Sequence, residues 1–404
     1  MIDKLPIPRW ARRAIIPIII VPLVVLYPEY YTSLGTSQLI PTLSTAVTMT
    51  VFVCMAVGLN MVVGYAGLLD LGYVAFYAIG SYVAGWFAST QFASHSIVFG
   101  AVGVQSNAIG IHISIWLLLP VAAAMAAAAG VVIGLPTLRL RGDYLALVTL
   151  GFGEIIPQVV RNGDNMFGTG FNLTNGVAGI TPIDPMGFRY LHGILPFLPD
   201  NFLLTPNLDV WFYRVGLLLV AITVFCSIRL RDSRLGRAWV ALREDEIAAA
   251  AMGVPLMQVK TWAYASGAFF GGAAGCFYGV YQGGAIPDNF KLYISTLLLA
   301  MVILGGMGNV WGVCLGAAVL SYLNQQGLGA IGNTINSNFG TNIEITKYEA
   351  GLFGLLIVLM MLFRPTGLIT ERRHKQEIEE GTADTPLYDV THEGSDTDRN
   401  PSND

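Results

Sequence analysis

Residues 40–63 read IPTLSTAVTMTVFVCMAVGLNMVV, a run of this chain without a charged side chain. A bilayer core is crossed by about 20 helical residues, so the run predicts a transmembrane helix. Its polar members are Ser, Thr and Asn, which bond within or between helices without carrying charge. Working outward, comparable runs recur near 14–30, 70–89, 114–136, 143–160, 208–228, 261–281, 291–307, 310–325 and 347–363. The predicted fold class is an all-α polytopic membrane protein with about ten transmembrane helices.

Composition agrees. The chain is 54% hydrophobic and only 12% charged, against about 25% charged in a soluble domain. That deficit leaves too little charge to solvate a water-facing surface, so lipid must cover much of it. The net charge of −4 comes from one end: residues 371–404 hold ten acids and four bases, and the rest of the chain is slightly basic. This division predicts a disordered acidic tail over 366–404 and gives no hint of a nucleic-acid partner. The four cysteines, Cys54, Cys226, Cys276 and Cys314, lie in apolar runs and form no CxxC pair, as expected of small buried hydrophobes.

Basic residues orient the spans, because Lys and Arg stay on the cytoplasmic side. With an inner segment at 1–13, Lys4, Arg9, Arg12, Arg13, Arg139, Arg141, Arg229, Arg231, Arg234, Arg237, Arg243, Lys260, Arg364, Arg372, Arg373, Lys375 and Arg399 fall inside. Arg161, Arg189, Arg214, Lys291 and Lys347 fall outside. Both termini are then cytoplasmic. The first apolar run ends at Pro28-Glu29-Tyr30 without a small-residue cleavage site, so a retained helix is expected rather than a signal peptide. A membrane domain over 14–365 would contain a large outer loop, 161–207, and a charged inner loop, 229–260. Five spans on each side of the outer loop would invert the second half relative to the first, a common plan in transporters.

Motifs narrow the chemistry. No lysine follows a glycine, so the phosphate-binding loop of an ATPase is absent. There is no HExxH zinc helix, and the five histidines are scattered; no metal or cofactor is implied. Gly327-Leu-Gly329-Ala-Ile-Gly332 matches GxGxxG, but in an expected outer loop rather than a strand–helix turn. Gly267, Gly271, Gly275, Gly279 and Gly283 recur every fourth residue, as do Gly308, Gly312 and Gly316. That period lines one helix face and admits a second backbone closely, for packing or for a sliding interface.

Charge within hydrocarbon is costly and marks functional candidates. Asp70 is expected near the start of the third span, beside Gly72, and Glu154 within the fifth, beside Gly151 and Gly153. The flanking glycines would permit a local helix break at either place, exposing backbone to a cavity. Asp70, Glu154, Gly72, Gly151 and Gly153 are the translocation-path candidates, against the plainer role of an inter-helix bond. In the inner loop, GRAWVALREDEIAAAAMGV (Gly236–Val254) suits a short helix stopped by Gly253 and Pro255. Its Ala248, Ala249 and Gly253 form a smooth surface beside Arg243, Glu244, Asp245 and Glu246, suited to a groove on a soluble partner.

These residues resemble the branched-chain amino acid permease family of ABC transporters, of the LivM type. The match is carried by GLLDLGYVAFYAIGSY (Gly67–Tyr82), LRGDYLALVTLGFGEII (Leu140–Ile156), the inner-loop segment, VILGGMGNVWG (Val302–Gly312) and FRPTGL (Phe363–Leu368). The resemblance implies a multi-pass subunit of a bacterial-type inner membrane. It implies a second, related permease as partner, two cytoplasmic ATPases that hydrolyse the ATP, and an extracytoplasmic binding protein that delivers substrate. It also implies that Gly236–Val254 couples to an ATPase, with Ala248, Ala249 and Gly253 on the importer pattern and Ile247 where that pattern has Glu. The outer stretch Leu173–Ile180 departs from the family's usual Leu-Thr-Gly-Gly-x-Asn-Gly-Ile. Permeases for urea or short amides look similar and are the nearest alternative. An ion-coupled secondary carrier would need titratable groups at mid-membrane, where only Asp70 and Glu154 are available. A membrane enzyme would need a clustered His, Cys or acid site.

Overall fold

The computed structural model describes residues 22–34, 40–93, 96–100, 109–140, 142–165, 168, 171–187, 208–339, 345–364 and 367–369. Helix α1 covers Tyr27–Leu34 and α2 covers Leu43–Asn60, continued by one π-helical turn, Met61–Tyr65. Then come α3 (Val74–Phe87), α4 (Ile115–Thr137), α5 (Asp143–Arg161), α6 (Leu208–Asp232), α7 (Arg234–Glu244), α8 (Glu246–Ala251) and α9 (Leu256–Gln282). Helix α10 is Leu292–Gly305 and α11 is Val310–Tyr322, which runs through a π turn, Leu323–Gly327, into α12, Leu328–Phe339. Helix α13, Glu349–Phe363, follows.

The opening stretch behaves as its composition requires. Thr42 caps α2 through its side chain, a role suited to a short hydroxyl, and nearly every α2 residue is buried. Among the described residues, Leu43–Tyr65, Ile115–Thr137, Tyr144–Arg161 and Asp209–Asp232 are long and apolar enough to cross a membrane. Val74–Phe87, Leu292–Gly305 and Glu349–Phe363 are shorter apolar helices. The outward sides of α4, α6 and α13 present Val132, Leu218, Phe225, Leu362 and Phe363 to the surroundings. Apolar surface on that scale is what a bilayer covers. The chain is therefore a polytopic helical membrane protein. Residues 14–21 of the first expected span, and most of 366–404, lie outside the described residues.

Helix α9 is central, packed against α4, α3 and α2, and its glycines set the spacing. A Cβ at Gly271 would stand 3.1 Å from the Tyr73 ring, at Gly275 2.9 Å from the Tyr77 carbonyl carbon, and at Gly279 3.4 Å from Ser81 Cα. The period of four on α9 thus meets a period of four in Tyr73, Tyr77 and Ser81. On the other flank a Cβ at Gly272 would lie 2.9 Å from the Ala122 carbonyl oxygen of α4.

Several expectations need correction. The fold is not wholly helical: β1 (Ala88–Ser89), β2 (Ser96–Phe99) and β3 (Gly110–Ile113) form a small sheet in the order β1-β3-β2. β1 pairs antiparallel and β2 parallel with β3. Backbone at a loop mouth has no helix to satisfy it, and pairing supplies the missing bonds. Asp70 is not in the third span, because α3 begins only at Val74. The Gly327–Gly332 stretch is helical rather than a loop. Helix α5 runs unbroken through Gly151 and Gly153.

Candidate functional site

Two regions gather the candidates. The first surrounds the non-helical residues between the π turn and α3. Gly67 adopts a left-handed φ of +69° and turns the chain, a conformation that glycine reaches without steric cost. Asp70 is fully buried; its Oδ1 accepts from the Gly72 amide at 2.9 Å, and the buried Tyr264 hydroxyl of α9 is its side-chain neighbour. The Leu71 amide donates to Thr149 Oγ1 on α5 at 3.1 Å. A Cβ at Gly153 would sit 3.0 Å from the Leu71 carbonyl oxygen and 3.5 Å from Gly72 Cα. The structure therefore brings Gly72 and Gly153 together as a close backbone approach. The expected helix break is real beside Asp70 and absent beside Glu154.

Glu154 lies on the opposite side of α5. It is exposed and lines an open groove of about 400 Å³ with Ile155, Gln158, Val159 and Asn162. Glu154, Gln158 and Asn162 stand four residues apart, so they share one helix face. Gly151 belongs to that face and has open space beside it. The buried face of α5 is Leu145, Thr149, Gly153, Pro157 and Val160. The exposed sides of α4 and α6 are largely apolar, whereas the outer half of α5 interleaves Glu154, Gln158 and Asn162 with exposed Ile155 and Val159. The recurrence of Glu154, Gln158 and Asn162 at every fourth residue is the signal in the sequence that marks this face.

The second region is the charged inner loop, which folds as two helices rather than one. Ser233 caps α7. Asp245 breaks the helix and caps α8, its Oδ1 accepting from the amides of Ile247 at 2.8 Å and Ala248 at 3.0 Å. Gly253, at φ +83°, ends the segment. Lys260 is buried and its ammonium meets Glu246 Oε1 at 2.8 Å. Arg243 Nη1 donates to the Gly64 carbonyl at 2.6 Å. Glu244 and Ala248 point outward and Ala249 inward. Ile247 and Met252 are 72% and 85% exposed. The smooth surface expected from Ala248, Ala249 and Gly253 is altered in two ways: Ala249 is buried, and Ile247 and Met252 stand out beside exposed Arg243, Glu244 and Asp245.

At the far end, residues 171–187 fold over the helices. The Ile180 amide donates to the Ala285 carbonyl, and Ala285 returns the bond. Trp86 donates to the Leu173 carbonyl at 2.8 Å and Trp116 to that of Met186 at 3.1 Å. His112 Nδ1 pairs with Asp184 Oδ2 at 2.8 Å; burial raises the Asp184 carboxyl above its ordinary range, partly offset by the histidine. Arg161 and Lys291 both meet Asp288 and hold its carboxyl below the usual range. No group of metal-ligating side chains occurs among the described residues.

A sheath of apolar helices, a broken inner segment and a helix with exposed polar side chains along its outer half define a multi-pass membrane protein of the kind that includes transport permeases. The family described as "Branched-chain amino acid transport system / permease component" matches residues 42–363. The chain belongs to that family. It is 36% identical over 340 residues to the high-affinity branched-chain amino acid transport system permease protein LivM of Escherichia coli K12, covering 82% of this chain and 71% of that one. The LivM protein of Salmonella typhimurium LT2 is 36% identical over 344 residues, covering 83% and 72%. A probable LivM of Methanocaldococcus jannaschii is 27% identical over 337 residues, covering 79% and 90%. No solved structure matches.

Proposed function

We propose that this chain is the membrane-spanning permease subunit of an ATP-driven importer of branched-chain amino acids. The observation that carries the reading is the family match over residues 42–363, with relatives named as permeases of such systems. In this reading a second, related permease, two cytoplasmic ATPases and an extracytoplasmic binding protein complete the machine, and this chain hydrolyses no ATP. It resides in a bacterial-type inner membrane.

The ten-span topology with both termini inside belongs to the proposal. Contacts among distant residues support it. Positions expected inside meet one another: Arg243 with Gly64, Gly308 with Asn60, and Leu368 with Leu304. Positions expected outside do likewise: Ile180 with Ala285, Arg161 with Asp288, and Thr42 with Gln326. The inverted five-and-five repeat is part of the same proposal. Superposition of the two halves about an in-plane axis in an experimental structure tests it, and halves that fail to overlay would remove it.

The outer half of α5 is the path wall. Exposed Glu154, Gln158 and Asn162 would be costly against hydrocarbon, so a water-filled seam with the partner permease is their place. Glu154 can meet the ammonium of a zwitterionic amino acid, and Gly151 leaves room beside it. Buried Asp70 and Gly72 shape the inner end. Glu244, Asp245, Ile247, Ala248, Met252 and Gly253 of the inner pair face the ATPase groove; Ala249 and the Glu246–Lys260 pair support that surface from behind.

The test is affinity purification of the tagged chain in mild detergent, followed by mass spectrometry of its companions. A second permease and ATPase subunits are expected. Recovery of the chain alone, with leucine uptake persisting in ATP-free vesicles, would replace the reading with a secondary carrier.

A further inference from the structure

We propose that Tyr65 and Arg243 fasten the inner helix pair to residues 61–73, so that motion of α7–α8 reaches helix α5 through that strap. The inference rests on the reading that α7–α8 meets an ATPase, and it assigns the route inward from there.

The strap is tied at its first end by two side chains. The Gly64 carbonyl lies near the end of the α2–π element, among the last groups that a helix leaves without an internal donor. Arg243 supplies the donor at 2.6 Å, a cation at the negative end of the helix dipole. The Arg243 stem also lies over the turn: a Cβ at Gly67 would stand 2.9 Å from its Cγ. Tyr65 is gripped from three sides. Its ring stacks on Trp239 of α7 at 6.5 Å with 12° between planes. Its hydroxyl lies 3.1 Å from Ser227 Oγ on α6, and the Arg231 guanidinium stands 5.9 Å over its ring. Trp239 is bonded in turn to the Val259 carbonyl of α9 at 2.9 Å. Helix α7 thus holds the π turn as one end of a clamp.

The second end of the strap is tied to α5. The Leu71 amide bonds to Thr149, Gly153 abuts the Leu71 carbonyl, and Asp70 folds the bend through the Gly72 amide. The stretch between the ties, residues 66–70, is non-helical backbone that follows directly on the π turn. Such segments absorb φ/ψ change where a regular helix would resist it. Contiguous packing connects α7 to α5, but contiguity alone does not show coupling, so the measurement must read coupling itself.

The complete transporter, reconstituted in vesicles with its binding protein, is assayed for ATP hydrolysis and labelled leucine uptake in the same preparation. For Tyr65→Leu, hydrolysis should stay within about twofold while uptake per ATP falls about tenfold, within the range usual for coupling between sites. Tyr65→Phe keeps the ring stack and should restore the ratio. Arg243→Gln should lower the ratio, and Arg243→Lys should recover part of it. An unchanged ratio in Tyr65→Leu and Arg243→Gln overturns the proposal. So does a parallel fall in hydrolysis and uptake, or loss of assembly in both variants, since either would mark the contacts as structural only. Absence of ATP-dependent uptake in the wild-type assembly would instead strike the functional reading beneath it.

Discussion

Replacing Gly275 by alanine tests the packing that organises the membrane domain. Gly275 lies on α9 where α3 passes against it. A Cβ built there would stand 2.9 Å from the Tyr77 carbonyl carbon and 3.1 Å from its Cα, and would overlap the carbonyl oxygen. These are backbone atoms of a buried helix, so no side-chain rotation relieves them. Relief requires α3 and α9 to separate, which also loosens the neighbouring contacts at Gly271 and Gly279. Forcing one methyl into a packed core costs about 1–3 kcal/mol. The comparison variant is Gly354→Ala on α13, where nothing lies within 4 Å of an added Cβ. Alanine there should gain up to about 1 kcal/mol of helix propensity. Both purified proteins are unfolded by titrating a denaturing detergent into mild micelles, followed by tryptophan fluorescence and helical circular dichroism. The expectation is a lower midpoint for Gly275→Ala and an equal or higher one for Gly354→Ala. A Gly275→Ala protein as stable as wild type would refute the close approach of α3 and α9.

Three further outcomes are expected. Glu154→Gln should lower leucine uptake several-fold without altering membrane insertion, and uptake equal to wild type would remove the carboxylate from the path. Charge placed on the inner knob, as Ile247→Asp with Met252→Asp, should abolish ATP-driven uptake and the co-purification of ATPase subunits while the chain still inserts; retained co-purification would locate the docking surface elsewhere. Asp184→Ala leaves Nδ1 of buried His112 without its partner, at a cost of about 1–3 kcal/mol; faster proteolysis of residues 171–187 from the outer face should report it, and unchanged cleavage would count against that anchor.

The sequence by itself determined the class of protein. Residues 40–63 carry no charge, and hydrocarbon rejects charge whatever the surrounding fold, so that helix was legible from composition alone. The glycine period on α9 was equally plain, because it is a repeat within one element. The stop at Gly253 follows from local chemistry of the same kind. Tertiary structure decided what depends on where two distant segments meet. It turned Glu154 outward and buried Asp70 in a non-helical bend, since which side of α5 faces α3 is set by the fit of Gly153 against Leu71. It directed Arg243 to the Gly64 carbonyl and Lys260 to Glu246, leaving Ile247 and Met252 on display. Charge in a loop signals solvent or a partner only until its neighbours are known. A carbonyl left over at a helix end, 179 residues away in the chain, is a neighbour that only folding supplies.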